Sequence, residues 1–259
     1  MNRYRLAVLG DPVAHSRSPE IHRAMLQLAG LEGEYLKIRA DVPMLERTVE
    51  ELRNGSWHGL NVTMPLKARA ASLADDLSPR AERARSVNTL ARRDQRVYGE
   101  STDSSAFHEL FASEQFGGLT SLLVLGAGGS AAAALTAVPG ELPVYVAARR
   151  MGQAEELVSL LGGSVAPWGA GVAGALVVNT TPIGMSGELL PERVLEVAGG
   201  LIDLPYGADP TPAVGHAEAL GIPWADGHEF LLRQAIASFR LWTGVDLTLA
   251  ALSEHLRKP

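Results

Sequence analysis

"TSLLVLGAGGSAAAALTAV", Thr120 to Val138, decides the fold class. A short apolar run ends at Gly126, glycines recur at Gly128 and Gly129, and an alanine-rich stretch with strong helix propensity follows. A buried strand entering a helix through glycines is the opening of a doubly wound α/β unit. The glycines let the backbone approach a pyrophosphate, and the free amides of the helix N-terminus meet its charge. The spacing departs from G-x-G-x-x-G because the third glycine comes early, so Ala131 or Ala132 must provide the close packing between helix and strand.

Downstream, strands are expected at "PVYVAA", "GALVVNT" and "GGLIDL". About twenty residues after the glycines an NAD site places a carboxylate on the ribose 2′-hydroxyl. This chain has Arg149 and Arg150 instead. Two guanidinium groups suit a 2′-phosphate, which points to NADP.

Upstream, "YRLAVLG", "GEYLKIRA" and "WHGLNVT" read as strands separated by the amphipathic segments "SPEIHRAMLQLAG" and "PMLERTVEELRNG". This β-α-β-α-β series belongs to a mostly parallel sheet. Ser18 is expected to cap the first helix with Pro19 at its first position. A helix "SSAFHELFASEQF" is expected after Asp103, and two more close the chain with a break at Gly244. The 259 residues thus suffice for two α/β domains.

Composition narrows the function. A net charge of −6 lacks the basic footprint of a nucleic-acid binder. The absence of cysteine excludes thiolate chemistry, and the histidines show no metal-ligand spacing, so no metal is expected. The N-terminal apolar run stops at Gly10, too short for a signal peptide or a membrane span, and a cytoplasmic location without membrane contact is expected. Polar clusters stand where strands end, at "HSRSP", "NVTMPLK", "SVNTL" and "ESTDSS". In an open α/β sheet, such ends line the ligand crevice, and these could encircle a hydroxylated or carboxylated small molecule. Lys67, in the second cluster, reads either as a solvated surface lysine or as a working group.

"HSRSPEIH", "NVTMPLK", "VNTL", "STD", "GAGGSA", "NTTPIGM", "DLPY" and "GHEFLLRQAIASFRLW", in this order, resemble the shikimate dehydrogenase family over nearly the whole chain. The resemblance implies a substrate domain at residues 1–103 plus 228–259 and a Rossmann-like NADP domain at 104–227, with C-terminal helices returning to the substrate domain. It implies that Lys67 and Asp103 are the catalytic pair in reversible reduction of 3-dehydroshikimate to shikimate. Ser16 and Ser18 would bind the substrate carboxylate, and Thr63, Asn88 and Gln234 its hydroxyls. Asn61, Thr102 and Tyr206 would complete or border that pocket. Gly126, Ala127, Gly128, Gly129, Ser130, Arg149, Arg150 and Thr180 would hold NADP, with Leu204 and Gly227 beside the nicotinamide. The implied protein is a monomer or homodimer.

Certain positions depart from the family pattern: Arg85, Ser101 and Ser104 near the substrate motifs, Ala148 before the arginines, and Glu229 and Phe230 near the nicotinamide. A side chain in place of glycine occupies space beside a ligand. Quinate or another cyclic hydroxy acid is therefore an alternative substrate, and a ligand-sensing homologue without catalysis is an alternative of another class.

Overall fold

The computed structural model describes residues 3–118, 120–191, 193–207 and 209–257. The chain folds as two compact units, Met1–Ser105 with Leu231–Pro259, and Ala106–Phe230. These boundaries fall two to three residues beyond those the motifs suggest.

The first unit runs β1 Tyr4–Gly10, α1 Ser18–Leu28, β2 Gly33–Arg39, α2 Val42–Arg53, β3 Gly59–Val62, α3 Lys67–Leu73, β4 Asp76–Leu77, α4 Pro79–Ala84, β5 Thr89–Arg93 and β6 Arg96–Glu100. Its sheet has the order β2-β1-β3-β5-β6-β4. The β2-β1-β3 portion is parallel, whereas β5 is antiparallel to both β3 and β6. Asp94 and Gln95 close the β5–β6 hairpin with φ of 47° and 66°. Positive φ at both positions belongs to the type I′ turn, whose twist matches that of paired strands. One face of the sheet buries Leu9, Leu45, Leu52, Leu60, Val62 and Leu90 in a common apolar cluster.

Ser18 does not cap α1. It is the first helical residue, Arg17 holds the cap position, and the Ser18 amide donates to the Ser16 hydroxyl at 3.3 Å. The serine two positions upstream thus takes over the acceptor role. Elsewhere in this unit, α4 terminates at Arg85 with φ 48°, in the left-handed region. That conformation costs a side-chain-bearing residue about 1–2 kcal/mol and glycine almost nothing. Arg85→Gly is therefore expected to raise the midpoint of urea unfolding by the equivalent of about 1 kcal/mol, after the extra chain entropy of glycine is allowed for. An unchanged or lowered midpoint would mean that the exposed arginine side chain offsets the backbone strain.

The second unit contains α5 Thr102–Phe111 (which starts in the first), β7 Leu122–Leu125, α6 Gly129–Ala137, β8 Val144–Ala147, α7 Met151–Leu161, β9 Ser164–Val165, β10 Leu176–Asn179, α8 Arg193–Glu196, β11 Gly200–Asp203, α9 Pro212–Leu220 and β12 Trp224–Asp226. Its sheet order is β12-β11-β10-β7-β8-β9, with every pairing parallel. Counted from β7 this is the 3-2-1-4-5-6 arrangement, and strand order reverses between β7 and β10. The strands are short and wholly buried there, Leu122–Leu125 and Leu176–Asn179 included, as expected for a parallel sheet covered on both faces.

The chain ends in α10 Gly227–Thr243 and α11 Leu249–Arg257. Within the first unit, Trp242 on α10 donates its indole N–H to the Leu90 carbonyl at 3.0 Å, and α11 meets α1 through His255 and Gln27. No helix among the described residues is long and apolar enough to cross a membrane.

Candidate active site

The parallel strands of the first sheet deliver their polar ends to one region. After β3 the chain turns at Met64 and Pro65, and Lys67 opens α3. A cation at a helix N-terminus is electrostatically misplaced, so helix stability does not account for a lysine here. Asp103 does account for it: Lys67 Nζ lies 2.5 Å from Asp103 Oδ2. The side chains are 16% and 7% exposed, which shields the pair from much of the solvent screening that weakens surface ion pairs. Asp103 lies inside the first turn of α5, one residue into a helix that starts earlier than its apolar pattern suggests. A carboxylate is well placed there against the helix dipole.

Asn88 joins this pair to two further elements. Its Nδ2 donates to Asp103 Oδ1 at 2.9 Å, to Thr102 Oγ1 at 2.8 Å and, more weakly, to Gln234 Oε1 at 3.3 Å. Its Oδ1 accepts the Thr102 amide at 2.7 Å. Gln234 arrives from α10, 146 residues away in sequence, with its Nε2 donating to the Leu231 carbonyl. Lys67, Asn88, Thr102, Asp103 and Gln234 therefore form one connected cluster.

Asn61 lies on β3 behind that cluster. Its Nδ2 donates to the Asn88 carbonyl at 3.1 Å, to Thr89 Oγ1 at 3.0 Å and to Ser238 Oγ at 3.1 Å, while Oδ1 accepts the Tyr35 hydroxyl at 2.7 Å. The hydroxyls of Thr89, Thr102 and Ser238 lie 2.8 to 3.0 Å from one another. Fully satisfied buried polar networks hold a single arrangement, because any displacement leaves a desolvated group unpaired. Ser16 and Ser18 form a separate polar pair, with their hydroxyls 3.1 Å apart. Thr63 is half-buried at the end of β3, and its amide donates to Leu9.

Behind Tyr35, His22 is fully buried and stacked on the phenol ring, with centroids 4.3 Å apart. Neither ring nitrogen has a hydrogen-bond partner among the described residues. Burial lowers its pKa to about 3, and the proximity of the Asn61 amide offsets this only in part. As pH falls below about 6.5 the unfolded chain binds a proton that the folded chain refuses until about pH 3. This contribution to stability is thus complete above about pH 6.5 and is lost through that window, by up to ~5 kcal/mol. His22→Phe, which keeps a ring against Tyr35, is expected to flatten the acid limb of a stability profile between about pH 6.5 and 4. An unchanged slope would show that His22 does not titrate in that window.

In the second unit the strand reversal sits beside the glycine turn. Gly126 has φ 108°, and a Cβ built there would stand 2.5 Å from Thr180 Oγ1, whose hydroxyl donates to the Leu125 carbonyl at 2.7 Å. Gly128 caps α6 and has open space on its side-chain side. Ala127, Gly129 and Ser130 continue this partly exposed turn into the helix. Arg149 and Arg150 are exposed just past β8, with Arg150 at the cap position of α7. The switch point thus offers the backbone cradle and the cations that a dinucleotide with a 2′-phosphate requires.

Two turns on the other side of the reversal are tied together. Asp203 accepts from Asn179 Nδ2 at 2.6 Å and from the Thr211 hydroxyl, while Asn179 Oδ1 takes the amide and hydroxyl of Thr181. Burial pushes the Asp203 carboxyl upward, against the pull of the Thr211 and Asn179 bonds. Leu204 follows directly, its amide bonded to Asn179, and a Cβ on Gly227 would lie 2.1 Å from the Leu204 carbonyl oxygen. Only glycine fits that approach. Tyr206 is half-buried in this second unit.

Residues 8–90 match the shikimate dehydrogenase substrate binding domain. The chain is 37% identical to the shikimate dehydrogenase (NADP(+)) of Alkalilimnicola ehrlichii, with 98% of each chain covered. It belongs to the shikimate dehydrogenase family. A second such enzyme, from Methylococcus capsulatus, is 38% identical over 93% of this chain and 91% of its own. The shikimate 5-dehydrogenase of Thermus thermophilus, solved in complex with NADP(H) and shikimate, superposes with a TM-score of 0.87 at 35% identity, covering 98% of this chain and 99% of its own.

For this shikimate dehydrogenase family member, motif reading omits Tyr35, Thr89 and Ser238, which lock Asn61 and Thr102 in place. Thr89 stands inside "VNTL", but a strand threonine carries no local sign of such a role.

Proposed function

We propose that the protein is an NADP-dependent shikimate dehydrogenase, a small-molecule enzyme of aromatic amino acid biosynthesis that works in the cytoplasm as a monomer or homodimer. The observation that carries the reading is the Lys67–Asp103 pair, enclosed and braced by Asn88. The relatives' names and the shikimate and NADP(H) in the Thermus complex support it.

In this reading residues 1–105 and 231–259 bind the substrate and residues 106–230 bind NADP. Ser16 and Ser18 hold the carboxylate, and Thr63, Asn88 and Gln234 the ring hydroxyls, with Asn61 and Thr102 behind them and Tyr206 at the border. The turn from Gly126 to Ser130, with Thr180, cradles the pyrophosphate; Arg149 and Arg150 meet the 2′-phosphate; Leu204 and Gly227 flank the nicotinamide. NADP, when bound, supplies the acceptor for the hydride that leaves the carbinol carbon.

The chain's own task is the proton. As the carbinol loses hydride, its hydroxyl must lose H⁺ to become a ketone, and the Lys67–Asp103 pair, once it has released a proton to solvent, takes that proton on Lys67 Nζ. In the reverse direction the ammonium returns it to the forming alkoxide. Asp103 holds Nζ through Oδ2, orients it, and accepts from a neighbouring substrate hydroxyl. Asn88 occupies Oδ1 and fixes the carboxylate plane. The reaction conserves atoms and charge: alcohol and NADP⁺ give ketone, NADPH and H⁺.

Incubation with 3-dehydroshikimate and NADPH, with the product identified by mass spectrometry, tests this directly. Shikimate should accumulate in step with NADPH loss. NADPH loss without shikimate, or no reaction, would contradict the assignment.

A further inference from the structure

The carboxylate subsite assigned to Ser16 and Ser18 lacks a charge. Two neutral hydroxyls can hydrogen-bond an anion without neutralising it, and the chain carries a formal charge of −6. An anionic substrate therefore approaches against the overall field unless a local cation compensates.

Cations do reach the segment from Asp11 to Glu20, but most are already paired. Arg39 is bidentate on Asp11, at 3.1 and 3.2 Å. Arg17 is bidentate on Glu20, at 3.2 and 3.0 Å. Lys37 differs: its Nζ donates to the Ala14 carbonyl at 2.6 Å, and among the described residues it forms no ion pair with a carboxylate. A carbonyl fixes an ammonium in place and leaves its charge intact. Ala14 lies two residues before Ser16, and Lys37 stands toward the C-terminal end of β2, where parallel strands present ligand sites.

We propose that Lys37 is the charge partner of the substrate carboxylate: its ammonium, pinned on the Ala14 carbonyl, supplies the positive potential that the Ser16–Ser18 pair lacks. This rests on the reading of those serines as the carboxylate subsite. Lys37 is a positioning residue, remote from the reacting carbon, so its effect falls on capture of the anion and not on hydride or proton transfer. Because the group is exposed, its influence is screened by salt.

The test is steady-state kinetics of wild type, Lys37→Gln and Lys37→Arg with shikimate and with its uncharged methyl ester, at low and high ionic strength. Glutamine removes the charge and keeps an N–H donor on a side chain one bond shorter, whereas arginine keeps both the charge and donors to the Ala14 carbonyl. Lys37→Gln is expected to lower kcat/KM for shikimate by about three- to tenfold at low salt, through KM, with kcat unchanged. The loss should shrink at about 0.5 M salt, where the Debye length is only about 4 Å. Lys37→Arg should restore most of it, and the ester should be indifferent to all three residues. An equal loss for acid and ester would make Lys37 a purely structural brace and overturn the proposal, as would no loss for either. Wild type turning over neither compound would instead refute the dehydrogenase reading on which the proposal rests.

Discussion

Lys67→Ala is expected to lower kcat for shikimate oxidation by about 10²–10⁴-fold, the usual contribution of a positioned proton-transfer group, with little change in shikimate affinity. The size follows from the surroundings. Lys67 is mostly enclosed and held 2.5 Å from Asp103. The alanine variant also leaves the Asp103 carboxylate without its cation, which costs stability as well as activity. Lys67→Met, which fills the space of the alkyl chain but leaves Asp103 equally without its cation, controls for lost packing and should remain inactive. A variant that raised KM and kept kcat would remove Lys67 from the proton path and make it a binding residue.

The second large effect concerns the cofactor. A charge-assisted bond between a guanidinium and a phosphate contributes about 1.5–3 kcal/mol, so Arg149→Ala should weaken NADP binding by roughly 10–100-fold. NAD lacks the 2′-phosphate and should be affected less than about threefold. Arg149 and Arg150 are both exposed, and the measurement belongs at low ionic strength, where screening does not mask the difference. Calorimetric titration of both dinucleotides against wild type, Arg149→Ala and Arg150→Ala would apportion the role. Equal losses for NADP and NAD would refute 2′-phosphate recognition by that residue.

Much of the fold is legible in the sequence because its signals are local. The apolar run into Gly126, Gly128 and Gly129 reports a strand, a tight turn and a helix in one short stretch, and the reversal of strand order lies where that motif predicts. Lys67 and Asp103 stand 36 residues apart and could be paired only through resemblance; the adjacency of β3, β5 and β6 is what joins them. Other features have no local signature. β4 and β9 are two residues long, too short for any periodicity, and exist because neighbouring strands offer unpaired edges. Tyr35, His22, Thr89 and Ser238 read as ordinary strand or helix residues, and only tertiary packing reveals the network they brace. Ser18 misled as a cap because Ser16, two residues earlier, offers its hydroxyl to the Ser18 amide.

The most direct measurement is the initial rate of nicotinamide reduction by the purified protein with shikimate and NADP, run in parallel with NAD and with quinate. Rapid reduction of NADP by shikimate is expected, with both NAD and quinate markedly slower. Silence with shikimate, or turnover with quinate alone, would contradict the shikimate assignment.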